Sequence, residues 1–167
     1  DWTLSRGLGD VYKRQTISSV DDNVGRVLDY LEESGLDKNT IVIYTSDQGF
    51  YLGEHGWFDK RFIYDESFKT PLMIRWPNEI NPGTTSEEMV QNLDFAQTFL
   101  EAAMIDAPID MQGESLMPLM KGDNDSWTRE AVYYHYYEYP SVHMAKRHYG
   151  IVNLSLIHIS EPTRQSP

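Results

Sequence analysis

The sequence predicts an α/β protein with a mostly parallel sheet, and three segments support that prediction. An amphipathic helix is expected over Thr16–Ser34, a β-branched strand over Ile41–Tyr44, and a second apolar strand over Pro71–Ile74. A helix joined by a short turn to a buried strand is the unit from which parallel sheets are built. The aromatic segment Ala131–Tyr139 predicts a further strand, the start of a smaller antiparallel region near the carboxyl end.

The composition of the chain excludes several classes of function. The 167 residues are enough for one domain with a core, and 40% hydrophobic with 24% charged residues is typical of a globular protein. The net charge of −12 argues against a nucleic-acid partner, because there is no basic surface to neutralise phosphates. The absence of cysteine excludes disulfides and thiolate chemistry. No apolar run approaches the roughly 20 residues that span a bilayer.

The first helix is predicted from the spacing of its apolar side chains. These recur at three- and four-residue intervals and so share one face. They are Ile17, Val20, Val24, Val27, Leu28 and Leu31. Gly35 follows the predicted end, where a residue in the left-handed region commonly terminates a helix.

The elements after the second strand are predicted from shorter patterns. A short strand is expected over Glu88–Leu93, followed by Asp94 as the N-cap of a helix. The apolar residues of that helix are Phe95, Phe99, Leu100 and Ala103. The segment Met104–Pro118 is expected to be irregular.

The two ends of the chain differ in character from its middle. Residues 1–15 and 154–167 carry no pattern that joins the neighbouring segments, and VYKRQ and SLIHISEPTR resemble translated sequencing-adapter sequence. We expect both ends to be non-native tails that pack poorly. Residues 16–125 would then form the main α/β part and residues 126–153 the start of the smaller region. The alternative is that both ends are ordinary native termini.

The first predicted strand ends abruptly in polar residues. Ligands in α/β folds bind beyond the carboxyl ends of strands, and Asp47 and Gln48 stand at that position. Both side chains offer the hard oxygen atoms that calcium prefers, and Gly49 lets the backbone turn away behind them. An aspartate that merely caps a turn is the alternative.

A glycine-rich loop follows and contains two further candidates. The ammonium of Lys60 suits a tetrahedral oxyanion, with an ordinary surface lysine as the alternative. His55 is a candidate proton donor, anion contact or structural hydrogen-bonding residue. The acidic segment Tyr64–Ser67 is expected to brace the loop.

These motifs carry a family resemblance because they occur in a fixed order. They are S-D-Q-G at 46–49, L-G-E-H-G at 52–56, Lys60, Y-D-E-S at 64–67 and T-P-L at 70–72. Over roughly Thr16–Gly150 the chain resembles the carboxyl-terminal half of a type I sulfatase catalytic domain, in the alkaline-phosphatase-like superfamily. That resemblance implies part of an α/β sandwich. It also implies that Asp47 and Gln48 bind a calcium ion, that Lys60 contacts the sulfate, and that His55 lines the pocket.

A late cluster of basic and aromatic residues extends the resemblance. It comprises His135, His143, Lys146, Arg147, His148 and Tyr149. The string from His135 to Gly150 resembles bacterial sulfatases that act on N-acetylglucosamine 6-sulfate. The resemblance implies a sulfated carbohydrate substrate, with His143, Arg147 and His148 as substrate ligands, and a periplasmic or extracellular location for the intact protein. A strand whose aromatic residues serve only packing is the alternative.

One expected motif does not occur in the chain. The family's nucleophile is a formylglycine made from Cys or Ser in a C/S-x-P/A-x-R motif, and no serine here matches it. We therefore expect the nucleophile and further calcium ligands upstream, and no activity from this chain alone. The alternatives are a phosphatase or phosphodiesterase of the same superfamily, and a non-catalytic carbohydrate-binding domain.

Overall fold

A computed structural model of the chain describes residues 2–143, 145–155 and 157–160, with the backbone alone at 2–14 and 157–160. These residues form two compact units. The first contains the chain up to Val42 together with Trp76–Asn78, and the second contains Ile43–Arg75 and the chain from Glu79 onward.

The first unit is dominated by one helix. Helix α1 spans Trp2–Glu33, so the prediction of a start at Thr16 is wrong, because backbone hydrogen bonding continues through residues that lack an apolar period. The predicted end is confirmed: Gly35 has φ +69° and the Leu36 N–H donates to the Leu31 carbonyl over 2.9 Å. None of the described helices is both long and apolar enough to cross a membrane.

The first two strands occur where the sequence predicts them. Strand β1 spans Val42–Thr45 and strand β2 spans Leu72–Arg75, and they pair in a two-stranded sheet. Between them lie a 3₁₀ turn at Glu54–Gly56 and the short helix α2 at Asp65–Phe68. The mostly parallel sheet stays a prediction.

The segment after β2 differs from its prediction. No strand forms over Glu88–Leu93; instead the Met89 carbonyl accepts from the indole N–H of Trp127 over 3.1 Å. Helix α3 is confirmed at Asp94–Ala102, but Asp94 lies inside its first turn rather than at the N-cap. The reason is tertiary, since the buried Asp94 carboxylate binds Arg129 from a distant part of the chain.

The carboxyl-terminal part contains an antiparallel sheet, which confirms the predicted smaller region. The segment from Met104 is irregular as predicted until Met117, where the short helix α4 begins and continues to Met120. Strands β3, β4 and β5 then pair antiparallel in that order. They span Val132–Tyr136, His148–Val152 and Ile157–Ser160. Buried apolar residues of the second unit include Tyr51, Ile63, Leu116 and Tyr136.

Candidate active site

The polar end of β1 is open to solvent. Asp47 is exposed, its backbone carbonyl accepts from the Asn92 amide over 2.9 Å, and its carboxylate receives only a long contact of 3.4 Å from the Ser46 hydroxyl. No Lys, Arg or His among the described residues pairs with this carboxylate. The backbone is therefore anchored while the acidic group stays available to a cation.

Gln48 links the strand end to the lysine. Its side-chain amide donates to the Lys60 carbonyl over 2.5 Å and to the Ser67 hydroxyl over 3.2 Å. Gly49 makes this approach possible, because its N–H donates to the Ser67 carbonyl over 2.9 Å and an added Cβ would lie 2.0 Å from the Glu66 carbonyl oxygen. Both contacts use the amide nitrogen of Gln48 and not its amide oxygen.

The backbone around Lys60 is held by side chains. The Lys60 carbonyl accepts from the Ser67 hydroxyl over 2.5 Å as well as from Gln48. The backbone carbonyls of the next two residues also accept hydrogen bonds from side chains. The Tyr134 hydroxyl donates to the Arg61 carbonyl over 2.8 Å, and the Tyr51 hydroxyl donates to the Phe62 carbonyl. Lys60 is half-buried, and its ammonium forms no ion pair with the described residues. These hydrogen bonds hold the backbone of residues 60–62 in place, although these residues form no helix or strand.

His55 sits on the same loop in an unusual conformation. Its φ of 55° lies in the left-handed region, and its Nε2 is 3.1 Å from a carboxylate oxygen of Glu66. Its ring stacks on Tyr64 at a centroid distance of 4.2 Å. With 43% of its side chain exposed, the imidazole is oriented by the carboxylate and still reaches solvent.

The side chains of the late cluster differ in how far they are buried. His143 and Arg147 are exposed, and the Arg147 guanidinium donates to the Tyr139 carbonyl over 3.2 Å. The His148 ring is only 2% exposed, and its two nitrogens face the carbonyls of Lys146 and Arg61. Of the three predicted substrate ligands, His148 is thus the one whose ring lies inside the unit, and its role in binding stays a prediction.

Glu66 and Ser67 belong to the Y-D-E-S segment, so their bracing of the loop matches its expected role. Two tyrosines that shape the site were missed in the sequence. Tyr51 and Tyr134 had no local signal, because their hydroxyls reach carbonyls 11 and 73 residues away. Burial raises the pKa of Tyr51, and burial raises the pKa of Tyr134 to about 12, so both hydroxyls keep the proton that they donate.

A cavity of about 820 Å³ lies in the second unit. Its lining includes Thr45 at the end of β1, Asn92, and Phe68 at the end of α2. Asn92 also holds the Asp47 backbone, so the cavity adjoins the strand end. The predicted site residues Asp47, Gln48, His55 and Lys60 are not among the described residues that line it.

The calcium ion implied by the resemblance fits these residues in kind. Asp47 supplies an exposed carboxylate and Gln48 an amide oxygen, both suitable donors. Calcium takes about six to eight oxygens, and no group of three or more His, Asp or Glu side chains in the described part of the chain could hold a metal. Asp47 and Gln48 would therefore supply only some of the ligands of a calcium ion, and their binding of calcium stays a prediction.

Comparison with known proteins is consistent with this geometry. The model of a family described as "N-sulphoglucosamine sulphohydrolase, C-terminal" matches residues 53–163. The N-acetylglucosamine-6-O-sulfatase of Bacteroides thetaiotaomicron is 53% identical over 148 residues, which are 86% of this chain and 26% of that protein. Human N-acetylglucosamine-6-sulfatase is 38% identical over 121 residues, 71% of this chain and 22% of that protein. The chain thus spans about a quarter of the length of these relatives.

Solved structures give the same result. A structure described as a complex with its substrate D-glucosamine-2-N,6-O-disulfate matches with a TM-score of 0.77 and 54% identity, over 82% of this chain and 28% of that one. A phosphonate monoester hydrolase from Silicibacter pomeroyi matches with a TM-score of 0.74 and 26% identity, over 85% and 30%. The chain has the fold of part of a protein of the alkaline-phosphatase-like superfamily. Within it, the chain belongs to the sulfatase family whose carboxyl-terminal part it matches.

Proposed function

We propose that this chain is part of a sulfatase that hydrolyses sulfate esters of glycans, with N-acetylglucosamine 6-sulfate as the preferred group. The observation that carries the proposal is the contact of Gln48 with the Lys60 carbonyl. It joins an acidic strand end, suited to a cation, to a lysine segment suited to an anion. The 53% identity to an N-acetylglucosamine-6-O-sulfatase supports the choice of substrate.

Each site residue has a proposed role. Asp47 and Gln48 hold calcium, which supplies positive charge to the sulfate oxygens when it is bound. The Lys60 ammonium stabilises the negative charge that develops on the sulfate in the transition state. His55, oriented by Glu66, donates a hydrogen bond or a proton at the pocket. The nucleophile, a formylglycine by family resemblance, is expected outside this chain.

Substrate recognition is proposed for the exposed part of the late cluster. His143 and Arg147 present donors to sugar hydroxyl or carboxylate groups, and nearby tyrosines present ring faces on which a sugar can stack. A periplasmic or extracellular location suits a glycan substrate. It is supported by a Drosophila melanogaster relative named as an extracellular sulfatase homologue, which is 38% identical over 118 residues.

A phosphonate or phosphate ester hydrolase is the second candidate. It is favoured by the match to the phosphonate monoester hydrolase at a TM-score of 0.74. The two functions differ in the charge of the group transferred, so substrate preference separates them.

The test uses a chimera in which this chain replaces the matching segment of the Bacteroides thetaiotaomicron relative. We expect sulfate release from N-acetylglucosamine 6-sulfate, and a loss of about 10²–10³-fold in kcat for Lys60→Ala. Lys121→Ala, at an exposed lysine after α4, is the matched control. Faster hydrolysis of a phosphonate monoester than of any sulfate ester would favour the second candidate. An unchanged kcat for Lys60→Ala would mean that Lys60 does not belong to the catalytic site.

A further inference from the structure

His148 occupies a position that the proposed chemistry does not use. Its Nε2 lies 3.0 Å from the Arg61 carbonyl oxygen, which also accepts from the Tyr134 hydroxyl over 2.8 Å. Its Nδ1 lies 2.8 Å from the Lys146 carbonyl oxygen. The ring thus bridges the start of β4 and the residue next to Lys60.

Both ring contacts are to carbonyl oxygens, which only accept hydrogen bonds. The tautomer with its proton on Nε2 therefore donates to the Arg61 carbonyl. His148 is only 2% exposed, so water has little access to this contact.

Aromatic rings hold the His148 ring in place. Phe62 and Tyr136 stack on it at centroid distances of 5.1 and 5.3 Å. Tyr134 lies tilted at 5.5 Å.

We propose that His148 is a positioning residue for Lys60: its buried ring donates a hydrogen bond to the Arg61 carbonyl and so fixes the course of the lysine loop. The inference rests on the proposed role of Lys60. Gln48 and Ser67 hold the carbonyl of Lys60 itself, so the loop is clamped at two successive peptide groups from different elements. A misplacement of about 1 Å can cost roughly 10²-fold in rate, which is the effect that the clamp prevents.

The first test examines the ring in the full 167-residue chain. Nitrogen-15 NMR of labelled histidine should show a proton on Nε2 of His148, the nitrogen that faces the Arg61 carbonyl, with slow exchange because the residue is buried. A ring whose only proton is on Nδ1 would overturn the proposal.

The second test measures catalysis in the chimera described above. His148→Phe keeps the ring stack but removes both ring nitrogens, and we expect kcat to fall about tenfold or more with KM changed less than about threefold. His148→Gln, which keeps one donor, should restore part of kcat, and His135→Gln on the same sheet is the control. A rise in KM at unchanged kcat would overturn the positioning role.

The two tests separate the inference from the proposed function. A parent chimera without sulfatase activity would count against the proposed function. The ring spectra would still decide the tautomer of His148, and amide hydrogen exchange of residues 60–62 would still decide whether the ring holds the lysine loop. Exchange in His148→Phe that is no faster than in the parent chain would overturn it.

Discussion

Among single residues, the most completely buried charge belongs to Asp94. Its carboxylate is fully buried and accepts two hydrogen bonds from Arg129, at 2.5 and 2.7 Å. The backbone N–H groups of Gln91 and Glu114 donate to the same carboxylate at 2.7 and 2.9 Å. The hydrogen bond with Asp94 raises the pKa of Arg129. A buried charge is tolerated because every lone pair has a donor.

Removing Arg129 should therefore destabilise the protein strongly. Arg129→Met leaves the Asp94 carboxylate buried without its cation, and we expect a loss of about 3–5 kcal/mol in the free energy of unfolding. Urea denaturation of the full chain measures it. Lys121→Met, which removes an exposed cation, should change stability by less than about 0.5 kcal/mol. Equal effects of the two substitutions would contradict a stabilising role for the buried Asp94–Arg129 ion pair.

The raised pKa of Tyr134 predicts how the free energy of unfolding changes at alkaline pH. Burial raises its pKa from 10.0 to about 12 in the folded protein, so the folded state retains a proton that the unfolded state has lost. The stability that the raised pKa of Tyr134 contributes is fully present below pH 10 and is lost as the pH rises through about 12. We expect the parent chain to lose about 1–2 kcal/mol more over this range than Tyr134→Phe. Tyr137→Phe, at a tyrosine that is 70% exposed, should behave like the parent.

Among the structural elements, the close approach of β1 and α2 organises the candidate site. The link runs through Gly49, whose N–H bonds to the Ser67 carbonyl and whose Cα faces the Glu66 carbonyl. Only a residue without Cβ permits this distance. The same α2 residues hold His55 and the Lys60 carbonyl, so one short helix positions both.

A methyl group at Gly49 should separate these elements. An added Cβ would lie 2.0 Å from backbone oxygen, so Gly49→Ala must displace α2, at a cost of about 1–3 kcal/mol. Gly25→Ala in α1, where a Cβ meets nothing within 4 Å, should be neutral or stabilising. Thermal unfolding compares the two, and histidine NMR should show His55 perturbed only by Gly49→Ala. An unperturbed His55 would contradict the proposed link.

For the whole molecule, the decisive question is how much of the proposed catalytic machinery the chain contains. It carries two oxygen donors, one lysine and one oriented histidine, and it spans about a quarter of its curated relatives. A cation site with two protein ligands binds calcium weakly. Electrostatic stabilisation without an attacking group leaves most of the barrier to ester hydrolysis in place.

We therefore predict that the isolated chain does not release sulfate. Purified chain would be incubated with an aryl sulfate and with N-acetylglucosamine 6-sulfate in the presence of calcium, and free sulfate would be measured. Turnover should not exceed that of a Lys60→Ala variant. Turnover above that control would mean that a nucleophile lies within these 167 residues.

The sequence alone determined the elements whose causes are local. The helix end at Gly35, strands β1 and β2, helix α3 and strand β3 follow from residue periodicity and turn residues within each segment. Strands β4 and β5 were not predicted, and β5 lies within the segment that was expected to be a tail. The ordered motifs also identified the family, because spacing along the chain is a property of the sequence.

Only the tertiary structure decided which side chains share a contact. Asp94 is a predicted N-cap that became a buried ion pair, because its partner Arg129 lies 35 residues away. His148 and Tyr134 meet at the Arg61 carbonyl across 87 and 73 residues, and no local pattern encodes such a meeting. Periodicity reports which face of an element is apolar, whereas long-range hydrogen bonds depend on how the elements pack, and packing is what places Lys60.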